Sequence, residues 1–560
     1  MPKRRTEPPL LLLAVLGLML YLGVTFASAL QEGTTRLEDD HAGHPIVTKQ
    51  QAADAAVQFI ESRFILGQDT EAYTLYQSYP VRNGYLLKEQ LYDDYEKKYE
   101  ERFPLEFFEV EINDREKGVT YYVAVNYKSL QVFGFMMNRS SAARSDSVSA
   151  PTSDPLKAAQ DAIREMGYHP AQFTLTGETA RAGNGSLIFR SSTERIGETP
   201  LELHLKVANG RVTAFQPTFP VPDTFIAWQE AQDDRSALMT RISMGITLVF
   251  TLVALIMVVR RRREILYARG ALLTLFFLVI YIANNFNMLP AFRTMHGSGP
   301  SEPGALFYLW FSNIFVGAMA VSTYLALSAG RQLWLDRGWN PWPVWRDTVF
   351  GNEVWKATVR GYLLCLFILG LQQTMFFIGA EAFDVWTVSD PTDSVYNMTY
   401  PGVFPLMAWV ASISEEAVYR LLGIAVTLKL TRSRFLAVLL PSVIWAMSHT
   451  QYPVYPVYTR LVEVTVIGLI FGYVFLKYGF LTALFTHASM NSILMGLSIM
   501  FIGEPGQVAV GAAYLAAPAA IGWLLSRLHA RFNRRPPSFP RADPSPAPGP
   551  HPGSGRLTPL

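Results

Sequence analysis

The stretch VFPLMAWVASISEEAVYRLLGIAVTL, residues 403–428, decides what kind of protein this is. It is long and apolar enough to cross the hydrocarbon core of a bilayer, which takes about 20 helical residues. In its middle, however, stand two adjacent carboxylates, Glu415 and Glu416, and a guanidinium, Arg420. A charged side chain at the centre of a membrane helix costs about 3 kcal/mol or more. The stretch therefore predicts a membrane helix whose charges face other helices or water.

Similar apolar stretches surround this one and predict a polytopic α-helical membrane protein. Leu10–Phe26 is apolar, and eight further stretches of near-spanning length follow residue 236. With residues 403–428 they make about ten transmembrane helices. The eight stretches lie near 237–259, 271–290, 305–329, 359–380, 435–450, 461–477, 481–500 and 508–527.

Lysine and arginine residues indicate the orientation of these helices. One set of alternating loops carries most of them, including Arg260–Arg263, whereas the opposite loops carry only Arg293 and Arg460. Because cytoplasmic loops are rich in Lys and Arg, both termini are predicted to be cytoplasmic. Residues 1–30 are predicted to be a transmembrane anchor, although Ala27-Ser28-Ala29 resembles a cleavage site and leaves a signal segment open. Both alternatives place the following segment outside the cytoplasm.

The composition agrees with a membrane protein and excludes several other classes. Of 560 residues, 50% are apolar and 17% are charged, against roughly 25% charged residues in a typical soluble domain. The single cysteine, Cys365, excludes an intramolecular disulfide framework and any zinc site that needs two thiolates from one chain. A formal net charge of +2 gives no reason to expect nucleic acid as a partner.

Residues 31–236 are rich in charge and short of long apolar runs, and we predict an extracytoplasmic α+β domain. Gln51–Val57 and Lys157–Ile163 have similar amphipathic helix patterns, and each precedes an alternating strand pair, at Thr120–Phe135 and Leu201–Phe215. This indicates an internal duplication that resembles the PepSY module, which is thought to bind peptides or restrain proteases. A solvated α+β domain without such a role is the alternative. We hypothesise that the domain recruits or screens substrates.

Residues 237–530 are predicted to form the helical membrane domain, and residues 531–560 a cytoplasmic tail. From Arg534 onward, Pro, Gly and Ser dominate the sequence. A segment of this composition cannot bury enough apolar surface to fold, so the tail is predicted to be disordered.

The charges within residues 403–428 suggest two different roles. Glu416 and Arg420 are four residues apart, so on a helix they share one face and can pair. Glu415 projects about 100° away and is left unpaired. An unpaired carboxylate in an apolar setting is a candidate general base. The simpler explanation is a buried ion-pair cluster that only fixes helix packing.

Two other predicted helices carry polar side chains of the same kind. His449 shares a helix face with Trp445, and His487 shares one with Asn491, because each pair is four residues apart. Alone, each pair is explained equally well by packing or by hydrogen bonds between helices. Together with residues 403–428, they predict one cavity whose carboxylates, imidazoles and amide can activate water.

The predicted helix ends leave a conflict about depth. At about 1.5 Å per residue, Glu415 and His449 lie roughly 20 Å from the cytoplasmic ends of their helices, but His487 only roughly 10 Å. The helix with His487 begins deeper or is tilted, or the boundaries are misplaced. We favour misplaced boundaries.

The order and spacing of these residues resemble the three motifs of the CAAX prenyl protease and bacteriocin-processing family, the CPBP or Abi-type intramembrane proteases. The motifs are Glu415-Glu416-x-x-x-Arg420, an aromatic residue four before His449, and His487-x-x-x-Asn491. The resemblance covers residues 400–500, under a fifth of the chain. The second motif of the family usually begins with Phe. Trp445 is therefore interpreted as a mild change at an apolar packing position.

The resemblance implies hydrolysis of peptide bonds within or at the membrane. It implies that Glu415 and His449 activate water. It also implies that His487 and Asn491 stabilise the oxyanion, and that Glu416 and Arg420 support the site. The implied partners are the lipid bilayer and a membrane-associated protein or peptide substrate.

Metal dependence stays open, because the family is described both as metal-dependent and as glutamate-dependent. Glu415, His449 and His487 are candidate Zn²⁺ ligands, since imidazoles and a carboxylate suit that ion. The same residues suit a metal-free mechanism with a glutamate base and a hydrogen-bonded oxyanion hole.

Other activities fit the sequence less well. It contains no His-Glu-x-x-His, no Gly-x-Ser-Gly within a predicted span and no Gly-x-Gly-Asp, which disfavours other intramembrane protease chemistries. A transporter or proton relay would predict Gly- or Pro-broken helices repeated in two halves, and no such symmetry is visible. A catalytically inactive scaffold or immunity protein is the other alternative. We predict an intramembrane endopeptidase, in a bacterial cell membrane, where a prenylated substrate is not expected.

Overall fold

A computed structural model of the chain shows a mostly helical membrane protein with a sheet domain near the N-terminus. It describes residues 8–30, 45–139, 154–181, 184–265, 267–293 and 302–533. The predicted disordered tail lies outside these described residues from residue 534 onward.

The sheet domain follows an N-terminal helix, α1 (Pro8–Leu30), and combines four helices with eight strands. In chain order these are α2 (Lys49–Glu61), β1 (Thr70–Ser78), α3 (Pro80–Lys88), α4 (Tyr92–Tyr99), β2 (Glu106–Asp114), β3 (Val119–Val125), β4 (Val132–Arg139), α5 (Pro155–Glu165), β5 (Phe173–Arg181), β6 (Asn184–Ile196), β7 (Thr199–Ala208) and β8 (Arg211–Thr218).

The eight strands form one sheet of two similar halves. Their order is β1-β2-β3-β4-β8-β7-β6-β5, and every neighbouring pair is antiparallel. Each half contains a leading helix, α2 or α5, and four strands, and the last strands of the two halves, β4 and β8, pair at the centre. Alternating apolar residues turn one face toward these helices, where Ala56, Ile163 and Leu205 are fully buried. The two halves thus repeat the same kinds of elements, and their origin by duplication stays a prediction.

The remaining elements form the helical bundle. They are α6 (Asp223–Arg260), α7 (Ala268–Asn287), α8 (Leu289–Arg293), α9 (Glu302–Leu335), α10 (Phe350–Phe383), β9 (Trp386–Thr387), α11 (Met407–Glu415), a π-helical segment (Glu416–Ile424), α12 (Ala425–Thr431), α13 (Arg434–Met447), β10 (Val454–Tyr455), α14 (Val457–Tyr478), α15 (Phe480–Met500) and α16 (Pro505–Phe532).

Several of these helices are long and apolar enough to cross a bilayer. Within the described residues there are eight: α1, α6, α7, α9, α10, α14, α15 and α16. The shorter α13 and the composite segment from α11 to α12 complete the bundle. The count of about ten spans and the orientation of the termini stay predictions.

The long helix α6 connects the sheet domain to the bundle. It has 38 residues, which makes it about 57 Å long, far more than a bilayer core of about 30 Å requires. It begins at Asp223, so the predicted domain boundary at residue 236 falls inside a continuous helix. Sheet domain and bundle are therefore joined by a stiff rod.

The sheet domain is also docked onto loops at one end of the bundle, called here the sheet-side end. The carboxamide of Asn397 donates to the carbonyl of Tyr76 (2.7 Å) and accepts from its N–H (2.8 Å), so it pairs with edge strand β1. The hydroxyl of Ser78 donates to the carbonyl of Ser389 at 3.0 Å. These hydrogen bonds fix the sheet above the loops between α10 and α11.

The conflict about depth is not due to misplaced boundaries. Helices α13 and α15 begin at Arg434 and Phe480, within one residue of the predicted starts. Phe480 is fully buried, its N–H donates to the carbonyl of Pro341 (2.9 Å), and its ring packs on Trp342 at 5.2 Å. Helix α15 therefore begins inside the protein, covered by the loop between α9 and α10, and carries His487 deeper than its sequence position indicates.

The N-terminal helix α1 packs closely against α10 of the bundle. A Cβ on Gly370 of α10 would collide with the carbonyl oxygen of Gly17, and a Cβ on Gly17 would collide with the backbone of Leu366 and Phe367. The two backbones thus touch, in the manner of small-residue crossings in membranes. This packing favours the anchor interpretation of residues 1–30.

Candidate active site

Residues 403–428, which carry the two adjacent glutamates, do not form a regular α-helix. A π-helical segment of nine residues, Glu416–Ile424, lies between α11 and α12, and all nine residues are buried. π-Helical turns are rare and frequently lie at functional sites. The predicted single helix 403–428 therefore changes its geometry at the point where its two glutamates stand.

Glu416 is the centre of a fully buried charge cluster. Its Oε1 lies 3.2 Å from Nη1 of Arg420, so the predicted pair of these two residues is confirmed. The same oxygen lies 2.9 Å from Nδ1 of His487 on α15. The side chains of Glu416, Arg420 and His487 are 0%, 2% and 3% exposed. The cluster thus ties the π-helical segment to α15.

Aromatic rings complete the surroundings of the buried guanidinium. Its carbon Cζ lies 4.1 Å from the ring centroid of Trp445 and 5.2 Å from that of Phe471, both favourable cation–π distances. Gly468 permits this packing, because a Cβ there would meet the Trp445 ring at 3.1 Å. Gly472, one turn further along α14, lies against Val438 in the same way, so these two glycines bring α13 and α14 close together.

Glu415 faces the other way, toward a more open space. Its Oε2 lies 3.9 Å from Nε2 of His449 and 3.9 Å from Nε2 of His487. The indole N–H of Trp445 donates to the same oxygen at 2.5 Å. The side chains of Glu415 and His449 are 22% and 19% exposed. Nitrogen atoms of three side chains therefore approach one carboxylate oxygen: those of Trp445 on α13, of His449 just after α13, and of His487 on α15.

The two imidazoles are oriented by hydrogen bonds at their far nitrogens. Nδ1 of His487 faces the Glu416 carboxylate, and Nδ1 of His449 lies 2.9 Å from the main-chain carbonyl of Trp445. Oxygen atoms of these groups only accept, so Nδ1 is the protonated nitrogen in both rings. Both Nε2 atoms are thereby turned toward Glu415.

Asn491 is the one predicted site residue that is not joined to the others. It stands one turn after His487 on α15 and is partly exposed. Among the hydrogen bonds of the described residues, none links its carboxamide to the other five side chains. The remaining five predicted residues lie together, drawn from the π-helical segment and α11, the end of α13, and α15.

Sequence reasoning missed the polar role of Trp445. Trp445 lies in the hydrophobic core, as its interpretation as a packing residue predicts, but its N–H also bonds Glu415. The signal was present: an indole carries a donor that usually finds a partner when buried, and Phe has none. Phe471, whose ring lies 4.9 Å from that of His487, had no signal beyond its place beside Gly472.

Comparison with known proteins agrees with this geometry for part of the chain. Residues 397–493 match the Rce1-like family model, described as type II CAAX prenyl endopeptidase Rce1-like. This segment includes all six predicted site residues. The resemblance inferred from the motifs is thereby confirmed.

A curated relative shares a similar short region. The sporulation-killing factor biosynthesis protein SkfC of Bacillus subtilis (strain 168) is 30% identical over 89 residues, which are 16% of this chain and 18% of SkfC. The chain therefore spans less than a fifth of that relative. No solved structure matches the chain.

Proposed function

We propose that this protein is an intramembrane endopeptidase of the CAAX-protease type, acting on membrane-associated proteins or peptides. One observation carries the proposal: a partly exposed carboxylate, Glu415, lies 3.9 Å from Nε2 of both His449 and His487, on three separate apolar segments. A water molecule to the side of two atoms that are 3.9 Å apart can lie about 2.8 Å from each, so one water can hydrogen-bond Glu415 and an imidazole together. The match of residues 397–493 to the peptidase family supports the same chemistry.

In the proposed first step, Glu415 accepts a proton from this water while Nε2 of His449 orients it. The resulting hydroxide attacks the carbonyl carbon of the substrate and forms the new C–O bond. Geometry supports Glu415 as the base, since it is the accessible carboxylate of the two, whereas Glu416 is fully buried. General-base catalysis of this kind contributes about 10²–10⁴-fold in rate.

In the proposed second step, His487 and Asn491 stabilise the tetrahedral oxyanion. Because Nδ1 of His487 donates to Glu416, its Nε2 can donate to the oxyanion only as an imidazolium. Collapse of the intermediate breaks the C–N bond, and the proton held by Glu415 passes to the leaving amine.

Glu416 and Arg420 support the site without touching the substrate. Arg420 neutralises Glu416 and is held by two aromatic faces, so the carboxylate keeps a fixed position beside His487. A hydrogen-bonded carboxylate that orients an imidazole is a common device of catalytic sites.

A zinc ion remains an alternative for activating the carbonyl or the water. Glu415, His449 and His487 would hold it: two imidazoles and a carboxylate suit zinc, and each Nδ1 already has the oxygen partner that metal-binding histidines need. Within the described residues, no three such side chains are already gathered at ligand distances. When bound, the ion would supply Lewis-acid polarisation.

The test is cleavage of a peptide library by the purified full chain in detergent, with and without a chelator. We expect specific cleavage, and its loss in both Glu415→Ala and His449→Ala. Chelator sensitivity would assign the reaction to the metal-dependent alternative. Cleavage that survives both substitutions would refute the proposed site, and no cleavage of any peptide by the wild-type chain would refute the function.

A further inference from the structure

We infer that the sheet domain holds the catalytic loop that carries His449, so that Trp386 and Tyr455 act as positioning residues for the hydrolysis proposed above. The inference rests on the proposed function, because it concerns the same site. It gives the sheet domain a direct part in turnover, in addition to any role in substrate recruitment.

The starting observation is that His449 is placed differently from its partners. Glu415 and His487 stand within helical segments, where the backbone fixes their direction. Helix α13 ends at Met447, so His449 lies in the connection to α14, residues 448–456, called here the histidine loop. His449 is held to the end of α13 by its contact with the Trp445 carbonyl and by its N–H, which donates to the carbonyl of Ala446 at 3.0 Å, and its remaining support comes from the contacts of the loop.

Helix α6 holds one side of the histidine loop and its flanks. Thr450 Oγ1 donates to the carbonyl of Ser236 at 3.3 Å, and the hydroxyl of Tyr455 donates to Asp233 Oδ1 at 2.6 Å. The N–H of Val457, just after the loop, donates to Gln232 Oε1 at 3.2 Å. All three partners lie on the first half of α6, the part that continues directly from the sheet domain.

The sheet domain holds the other side of the loop through an aromatic stack. Trp386, 2% exposed, stacks on Tyr455 at 4.7 Å between ring centroids, and Phe225 lies 6.3 Å from Trp386. A Cβ on Gly84 of α3 would meet the Trp386 ring at 2.8 Å, so the indole is pressed against the sheet domain. Both Trp386 and Tyr455 belong to the hydrophobic core of that domain.

The stack reaches the imidazole through the loop itself. β9 pairs with β10, and the N–H of Val388 donates to the carbonyl of Pro453 at 3.3 Å, so the end of the loop is fixed to Trp386. Next to Pro453, the ring of Tyr452 stacks on His449 at 6.0 Å and 21°. Displacement of the stack would therefore be transmitted to the imidazole over four residues of chain.

Such displacement has a predictable kinetic result. A misplacement of about 1 Å in a catalytic group costs on the order of 10²-fold in rate. Since His449 is proposed to orient the water and not to bind the substrate, kcat should fall much more than KM rises.

The first experiment compares Trp386→Ala with Trp386→Phe in the full chain, using a peptide that the wild type cleaves. We expect kcat to fall by about 10- to 100-fold in the alanine variant, with KM changed by less than about threefold, and to recover largely in the phenylalanine variant. Phe189→Ala is the matched control, because Phe189 is 3% exposed in the same core but makes no ring contact with the stack. Equal losses of kcat in Trp386→Ala and Phe189→Ala, measured on folded protein, would overturn the inference.

A second measurement does not depend on activity. Gln451 is exposed in the histidine loop, and Cys365 is the single, buried cysteine, so Gln451→Cys with Cys365→Ala gives one site for a spin label. We expect the label to be immobilised, to gain mobility with Trp386→Ala, and to stay unchanged with Phe189→Ala. Unchanged mobility with Trp386→Ala would refute the inference even if peptide cleavage is confirmed. Increased mobility would support the role of the aromatic stack in holding the histidine loop even if no peptide is cleaved. In that case only the proposed function fails.

Discussion

The two halves of the candidate site differ in their access to water. Glu415 and His449 keep 22% and 19% of their side-chain surface exposed, whereas Glu416, Arg420 and His487 keep 3% or less. In the exposed half, two imidazole nitrogens lie 3.9 Å from one oxygen of Glu415, whereas in the buried half one oxygen of Glu416 lies 3.2 Å from Arg420 and 2.9 Å from His487. The difference supports the proposal that two adjacent residues of one motif have separate roles, in which Glu415 activates water and Glu416 fixes the structure.

Burial explains why the second half needs so many partners. Removing two charges from water costs more than their attraction returns unless further hydrogen bonds or ring contacts compensate. Arg420 has Glu416 and two aromatic faces, and Glu416 has Arg420 and His487. The buried half therefore tolerates no loss of a partner, and substitutions should separate the two halves.

The largest expected effect is on activity, in Glu415→Gln. The amide cannot accept a proton from water, so kcat should fall by about 10²–10⁴-fold. Thermal unfolding in detergent should stay near that of the wild type, since the side chain is partly exposed. Glu416→Gln is the contrasting control and should lower the unfolding temperature. If both variants unfold alike, the division of labour is refuted.

The next effect is on stability, in Arg420→Met. The substitution keeps most of the side-chain volume but leaves Glu416 buried without its counter-charge, which should cost about 3–5 kcal/mol. Arg420→Lys should rescue only in part, because an ammonium lacks the planar face that lies over Trp445. Chemical denaturation of the two variants measures the difference. A fully stable Arg420→Met chain would show that the pair is dispensable.

A smaller effect should come from Trp445→Phe. The Trp445 side chain contacts both halves of the site, since it lies against Glu415 and Arg420. The change removes the N–H that bonds Glu415 but keeps a ring beside Arg420. Hydrogen bonds to charged groups contribute about 1.5–3 kcal/mol, so we expect roughly a 10- to 100-fold loss in kcat with little loss of stability. Equal activity of the two proteins would restore the interpretation of Trp445 as a packing residue.

The smallest effect concerns the carboxylate of Glu109, on strand β2 of the sheet domain. Burial raises the pKa of Glu109 to about 7, the nearby Glu111 adds to this, and a hydrogen bond from Gln77 opposes it. Because the folded-state pKa lies above the ordinary glutamate value of 4.5, the proton stabilises the fold at acid pH, and this stability is lost as pH rises through about 7.

Glu109→Gln should therefore stabilise the protein above pH 7, by on the order of 1–3 kcal/mol, and change little near pH 4. Thermal unfolding between pH 4 and 8 checks this expectation, with the exposed Glu101→Gln as the control. The same pH dependence in wild type and Glu109→Gln would contradict the assignment of the effect to this group.

Residue spacing along the sequence predicted those contacts of the site that form within one helix. The pairing of Glu416 with Arg420 follows from their spacing, and residues 397–493 match the family that the motifs indicate. The hydrogen bond from Trp445 and the depth of α15 could not be predicted in this way. The hydrogen bond depends on how closely α13 approaches α11, which carries Glu415. The depth of α15 depends on the contact between Phe480 and Pro341, which are far apart in sequence.

The crossing of Gly17 with Gly370 has a consequence for anyone who produces this protein. Recombinant membrane proteins are often given a generic export leader in place of their own first residues. Here such a replacement would remove α1, whose backbone contacts that of α10, and would expose the face of α10 around Gly370 to lipid or to another chain. A fusion placed before Pro8 retains the packing of α1 on α10.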